Sequence, residues 1–257
     1  MKKLIGLITL FLLSATTAIS ADMRFVQVDG ALYNSADAQR FENLVAKINK
    51  EKNVEFVVFT GNNISRPREA ELEQFLLAAK KLKRPFYVVL GQKDVNKQKK
   101  LGKKEYMRLV SKKNFSQRKN NSPNYVFKKK SLVFVVADGS KEVIPSPNGY
   151  YKEDVILWLD EQLDKYADKK VIIFQHYPLI PPSQRETHYT HKADEYLRLL
   201  SEHKNVKAVF AGHFGVNKEQ IQDGILHVST SNAPVYRVVD ILNYDSDELT
   251  FWSTIKE

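Results

Sequence analysis

Two histidines in this 257-residue chain close apolar runs: His176 ends VIIFQH and His213 ends VKAVFAGH. Imidazole titrates near neutrality and is a frequent metal ligand, so the placement suits metal coordination or proton transfer. Other polar residues stand in equivalent places. Asp29 follows FVQV, Asn62 follows EFVVFTG, and Gln92, Lys93 and Asp94 follow FYVVLG. In open α/β sheets ligands bind beyond the carboxyl ends of the strands, so these residues form one candidate cleft. A single histidine there is commonly structural, held by a backbone hydrogen bond. Five strand ends delivering polar or small residues in order argue for a site.

The elements that must position these residues are short β-branched and aromatic runs with the apolar continuity of strands covered on both faces. They are expected at residues 25–28, 55–60, 86–90, 171–175 and 206–211. Amphipathic helices alternate with them, as in residues 68–82, where Leu72, Phe75, Leu76, Ala79 and Leu82 share one face and Ser65 and Pro67 supply the start signal. The alternation predicts an α/β layered fold. Residues 125–140 and 236–255 read as antiparallel hairpins, the second turning at a DSD. The loop from Pro178 to Thr190 is the one long irregular connection, and long loops in compact folds tend to sit at sites.

The chain begins with Lys2 and Lys3, an apolar run from Leu4 to Leu13, and small residues ending at Ala21. That pattern predicts a secretory signal peptide over residues 1–21, with an uncleaved anchor as the rival, and one domain over 22–257. No later segment is apolar enough to cross a membrane, and export to the periplasm or outside the cell is expected. Cysteine is absent, which excludes disulfides and thiolate chemistry. The formal charge is +10, concentrated in residues 93–130, where fourteen lysines and arginines face only Asp94 and Glu105. Such a segment is either a solvated Lys-rich surface or an anion-facing patch.

The segments VQVDGALY, VVFTGNNIS, YVVLGQKDV, IIFQHYPL and VFAGHFGV, with the helix ILWLDEQLDKY before the fourth, resemble the calcineurin-like metallophosphoesterases. That family carries D-x-H, G-D, G-N-H-D, a later His, and G-H-x-H in this order. The resemblance implies a four-layer α/β/β/α sandwich of two mixed sheets, and a phosphoesterase centre of two metal ions sharing a carboxylate and a bridging hydroxide.

Carried over residue by residue, the resemblance implies a degenerate centre. The D-x-H motif is Asp29-Gly30-Ala31 if one residue is skipped, or Gly30-Ala31-Leu32 if none is. The last His of G-H-x-H is Gly215, and the bridging Asp is Asn62, a neutral amide. His176 and His213 stand at the second ion's positions with Gln92 in place of Asn. With Asn62 this set could hold at most one divalent transition ion weakly. Lys93 occupies the place of the family's acid His, and its ordinary pKa of about 10.4 suits charge better than proton transfer. Asp94 is expected either to pair with Lys93 or to turn inward. His188 and His191 on the long loop are candidate substitute ligands.

The expectation is an exported fold of this family that binds rather than hydrolyses, with no tightly held cofactor. Two alternatives stand beside it: an active phosphoesterase with a single or rebuilt metal site, and a structural or envelope-interaction module. Lys93, Lys103, Lys104, Lys112 and Lys113 are candidate contacts for an anionic ligand or surface, without base-specific reading of nucleic acid. The basic segment is expected to run from the cleft floor along its rim.

Overall fold

The computed structural model describes residues 22–246 and 249–257, so the expected signal segment lies outside the described residues. In order, the main elements are β1 (Met23–Val28), α1 (Ala38–Ile48), β2 (Val54–Phe59), α2 (Glu69–Ala79), β3 (Phe86–Val88) and α3 (Lys103–Lys113). There follow β4 (Tyr125–Lys129), β5 (Leu132–Val136), β6 (Gly149–Tyr150), α4 (Glu153–Lys165), β7 (Val171–Phe174) and β8 (Thr190–His191). The last six are α5 (Ala193–Glu202), β9 (Val206–Ala211), β10 (Lys218–Gln222), β11 (Ile225–Ser229), β12 (Tyr236–Leu242) and β13 (Thr250–Lys256).

Two mixed sheets result, with strand orders β13-β12-β1-β2-β3 and β10-β11-β9-β7-β5-β4. In the first, β1, β2 and β3 run parallel while β12 pairs antiparallel with β1. In the second, β5, β7, β9 and β11 run parallel, flanked by the antiparallel β4 and β10. The sheets face each other through an aromatic core. Phe25 stacks on Phe56 in the first sheet at 5.2 Å, and meets Phe174 and Phe210 of the second edge-on at 5.4 and 5.2 Å. Such offset and edge contacts stabilise beyond area burial alone.

The outer faces are covered by helices, because each parallel strand is apolar on both sides. Phe41 and Leu44 of α1, Leu72 and Phe75 of α2, and Tyr106 and Met107 of α3 close the first sheet. Val155, Leu159 and Leu163 of α4 with Tyr196 and Leu200 of α5 close the second. The architecture is the four-layer sandwich. Both expected hairpins form, β4 with β5 and β12 with β13. The pair β10 and β11 was not anticipated. It turns at Asp223 (φ 53°) and Gly224 (φ 77°), the Asp-Gly, doubly positive φ pattern of a two-residue hairpin.

Among the described residues no helix is long and apolar enough to cross a membrane.

Candidate functional site

The parallel strands deliver Asp29, Asn62, Gln92, His176 and His213 to one buried cluster between the two sheets' carboxyl ends. Asp29, directly after β1, is wholly buried. Its Oδ2 accepts the backbone N–H of His213 at 2.8 Å, and its Oδ1 accepts the Thr60 hydroxyl at 3.2 Å and lies 3.4 Å from His176 Nδ1. Of the two placements of the D-x-H motif, the one that starts at Asp29 has its aspartate in the cluster, and it puts the buried, donor-less Ala31 at the histidine position. Gly212 is required here, because a Cβ at that position would sit 1.7 Å from Asp29 Oδ1. Asn62 (φ 50°) and His213 (φ 73°) both adopt left-handed backbone, a conformation that clusters at ligand-binding turns.

The hydrogen-bond arithmetic of the two histidines is decisive. His176 Nδ1 lies 2.6 Å from the Thr60 carbonyl oxygen, and His213 Nε2 lies 2.6 Å from that of Pro147. Carbonyls only accept, so each ring donates its N–H outward. The remaining nitrogens, His176 Nε2 and His213 Nδ1, then face each other at 3.1 Å, with Gln92 Oε1 2.8 Å from His176 Nε2. Three lone pairs converge. Burial, with His176 and His188 nearby, pushes the His213 imidazole down to about 2, so His213 is neutral.

A shared proton or a single metal ion would reconcile the three, whereas an amide of Gln92 turned to donate would satisfy His176 Nε2 and leave the His213 Nδ1 lone pair facing it. On bonds of about 2.0–2.1 Å, ligands lie roughly 2.9 Å apart at right angles and roughly 3.4 Å apart in a tetrahedron, so one small transition ion fits after the donors part slightly. A pair of ions does not fit. The positions that would serve the first ion are Ala31 and Gly215, and the exposed Asn232 leans against Gly30 and Gly215. Asn62 supplies no charge, and its Oδ1 accepts the backbone N–H of Lys93 at 3.0 Å. Asp29 Oδ2 is committed to the His213 backbone.

Asp94 turns inward and does not pair with Lys93, which is exposed. Its Oδ1 accepts the N–H groups of Asn63 and Ile64 at 2.7 and 3.1 Å, and its Oδ2 those of Gly91 and the Asn63 side chain at 2.8 and 3.2 Å. Burial pushes the carboxyl up to about 7 against the pull of these backbone donors. Asp94 is thus a clamp between the turns after β2 and β3. Asn63, next to Asn62 and fully buried, was missed in the sequence; its partners are Asp94, the Val89 carbonyl and the Tyr106 hydroxyl.

The cleft is roofed. Besides the Pro147 carbonyl on His213, the neighbouring Asn148 Oδ1 accepts the His188 backbone N–H at 2.7 Å, and the short strands β6 and β8 zip the two loops together. His188 lies against the His213 ring at 4.8 Å between centroids, with its Nδ1 2.7 Å from the Thr187 hydroxyl. His191 lies against Tyr150 and Tyr189 instead. Solvent reaches little of the centre: His176 is 0%, Asn62 7% and His213 7% exposed.

The basic segment does not follow the cleft rim. Its near half holds Lys93, Lys97 and Lys100, and Lys104 with Arg108 lines a groove of about 700 Å³ together with Glu105 and Glu142. Helix α3 then carries the chain to the opposite end, where Lys112, Lys113 and Arg118 share a groove with Pro85 and Phe86 at the start of β3. Two expected anion contacts are engaged internally. Lys103 Nζ lies 2.6 Å from the buried Asp138 Oδ2 and donates to the Ser140 carbonyl, while Lys113 pairs with Glu73 at 2.9 Å. Their acidic partners lie far away in the sequence, so the segment alone did not disclose them.

The family model for calcineurin-like phosphoesterases matches residues 21–217. A relative from Arcobacter nitrofigilis, described as a probable glycerophosphodiester phosphodiesterase GpdQ, is 27% identical over 219 residues, covering 83% of this chain and 76% of the relative. Among solved structures, a dimetal phosphatase from Danio rerio matches with a TM-score of 0.70 at 15% identity, over 91% of this chain and 96% of its own. GAP50, the anchor in the inner membrane complex of Plasmodium, matches with a TM-score of 0.61 at 13% identity, over 91% and 84%. At such identities the structural likeness speaks to the fold.

Proposed function

The chain belongs to the calcineurin-like phosphoesterase family, and from that premise we propose that it is an exported, non-hydrolytic member that works by binding an anionic ligand or partner. One observation carries the reading: the carboxylate that two ions must share is replaced by Asn62, whose Oδ1 is spent on the Lys93 backbone. Without two cations nothing holds a bridging hydroxide or neutralises the charge developing on phosphorus. Burial supports the same reading, since a phosphate ester has to displace the Pro147 and His188 loops before it can reach His176 or His213.

The neutral N₂O donor set of His176, His213 and Gln92 suits one borderline divalent transition ion, held weakly, and suits Mg²⁺ or Ca²⁺ poorly. Metal analysis of the purified protein after dialysis tests this. Less than one equivalent of Zn²⁺, Mn²⁺ or Co²⁺ is expected, and two equivalents retained would contradict the reading.

The rival reading is an active phosphoesterase on a single rebuilt metal site. It draws support from His188, whose imidazole already lies beside His213, and from the relative described as a probable phosphodiesterase. It requires the His188 ring to leave the Thr187 hydroxyl and turn inward. Under that reading His188→Ala lowers metal affinity together with His176→Ala. Under the favoured reading His188→Ala leaves metal content unchanged.

A further inference from the structure

Opposite the cleft, at the end where β3 begins, cations from two separate segments meet around an exposed phenylalanine. Lys80, Arg84, Lys112, Lys113 and Arg118 line one groove of about 570 Å³ together with Phe115. Lys83 and Lys119 lie next to these residues in the chain and are also exposed. Of these seven, only Lys113 is in an ion pair among the described residues. Cations in the last turn of a helix complement its dipole, which accounts for Lys112 and Lys113 at the end of α3. It does not account for Arg84 or Arg118, which lie beyond the helices.

Phe115 is 86% exposed, and its exposure is held in place. The residues on either side of its turn are bolted to β3: Asn114 Nδ2 donates to the Phe86 carbonyl at 2.9 Å, and Gln117 Oε1 accepts the Val88 N–H at 2.9 Å. Both anchoring side chains are buried. A second apolar side chain accompanies it. Leu77, 47% exposed, lies on α2 between Glu73, which pairs with Lys113, and Lys80, which lines the groove, all three at helical spacing on one face.

We propose that this face docks the protein on an anionic lipid bilayer, with Phe115 and Leu77 entering the boundary between headgroups and acyl chains and the surrounding lysines and arginines meeting lipid phosphates. Apolar tips ringed by cations, with few acidic neighbours, complement such a surface in both charge and polarity. Single-stranded nucleic acid is the other polyanion to consider. It favours successive aromatic platforms, whereas here the one exposed aromatic is accompanied by a leucine. The inference deepens the binding reading above but uses a face remote from the cleft, so its failure leaves the account of the cleft standing.

The test is co-sedimentation of the full chain with phosphatidylcholine vesicles and with phosphatidylcholine–phosphatidylglycerol vesicles. Any contribution from the apolar run at Leu4–Leu13 is common to all variants, so the readout is the difference between compositions and between variants. The expected result is preference for the anionic vesicles that declines as salt rises. Partitioning should fall about tenfold or more in Lys112→Glu/Arg118→Glu, each residue reversing a charge near the surface, and also fall in Phe115→Ser. The control Lys97→Glu/Lys100→Glu, just before the start of α3, should bind like the parent. Equal partitioning of the Lys112/Arg118 variant, an equal loss in the Lys97/Lys100 control, or no preference for anionic vesicles at low salt would overturn the proposal. So would displacement onto a single-stranded oligonucleotide that binds while vesicles do not.

Discussion

His176 and His213 meet edge to edge: Nε2 of the first lies 3.1 Å from Nδ1 of the second, and each ring has already given its N–H to a backbone carbonyl. The gap between them suits one added positive charge. The Asp29 carboxylate lies on the far side of His176, 3.4 Å from Nδ1, and balances such a charge without reaching the gap. On the proposed reading, this relationship separates the centre from a two-ion one, in which a carboxylate must stand between the ions.

Restoring that carboxylate should restore affinity before activity. In Asn62→Asp an anion enters beside the His176 and Gln92 donors, and Zn²⁺ affinity by calorimetry should rise by about tenfold or more. Hydrolysis should remain absent, because Ala31 and Gly215 still supply no donors for a second ion. Unchanged Zn²⁺ affinity would show that the three donors do not form a metal site at all.

Asp94→Asn should destabilise the fold although it is nearly isosteric. Four N–H groups point at the Asp94 carboxylate, and an amide would turn its own N–H₂ toward two of them. Burying donors without acceptors costs about 1–3 kcal/mol. The fall in thermal midpoint measures it, and an unchanged midpoint would contradict the clamp.

Lys103 and Lys104 are adjacent in the chain but should respond differently to loss of charge. Lys103→Met leaves Asp138 buried without its cation, a loss of about 2 kcal/mol once the 20% exposure of the Lys103 side chain is allowed for. Lys104→Met on the groove side should change stability by less than about 0.5 kcal/mol. Denaturant unfolding of the two variants makes the comparison.

Acid should weaken the protein through His227. Burial pushes its imidazole down to about 4. The folded state therefore stays neutral while the unfolded state takes a proton below about 6.5. Stability from this group is complete above that pH and falls by about 1.4 kcal/mol per pH unit down to about 4. His227→Leu should flatten the dependence of unfolding free energy on pH in this window, and an unaltered slope would assign the acid loss elsewhere.

Much of the fold was legible because strands buried on both faces leave apolar runs, as at residues 171–174 and 208–211. The cluster residues stood out for the same reason: His176 and His213 come within two residues of the last apolar side chain of such runs. Asn63 and the Pro147 carbonyl were not visible. One is masked by its neighbour Asn62, and the other is a backbone group brought in by a loop. The basic segment was misplaced because a run of like charge carries no direction. The eleven residues of α3 move the chain about 16 Å at 1.5 Å per residue, enough to take Lys112 from the cleft end to the start of β3. The β10–β11 hairpin was signalled by Asp223-Gly224, a turn pair flanked by the polar edge strand KEQIQ, whose exposure removed the alternation that marks a strand.

The most direct test of the central claim is steady-state hydrolysis of an aryl phosphate diester and monoester by the purified protein with Mn²⁺, Zn²⁺, Co²⁺ or Mg²⁺, run beside His176→Ala and His213→Ala. The account predicts that the parent shows no turnover above buffer and that neither variant differs from it. Turnover by the parent that disappears in either variant would contradict it, and would establish His176 and His213 as ligands of a working phosphoesterase.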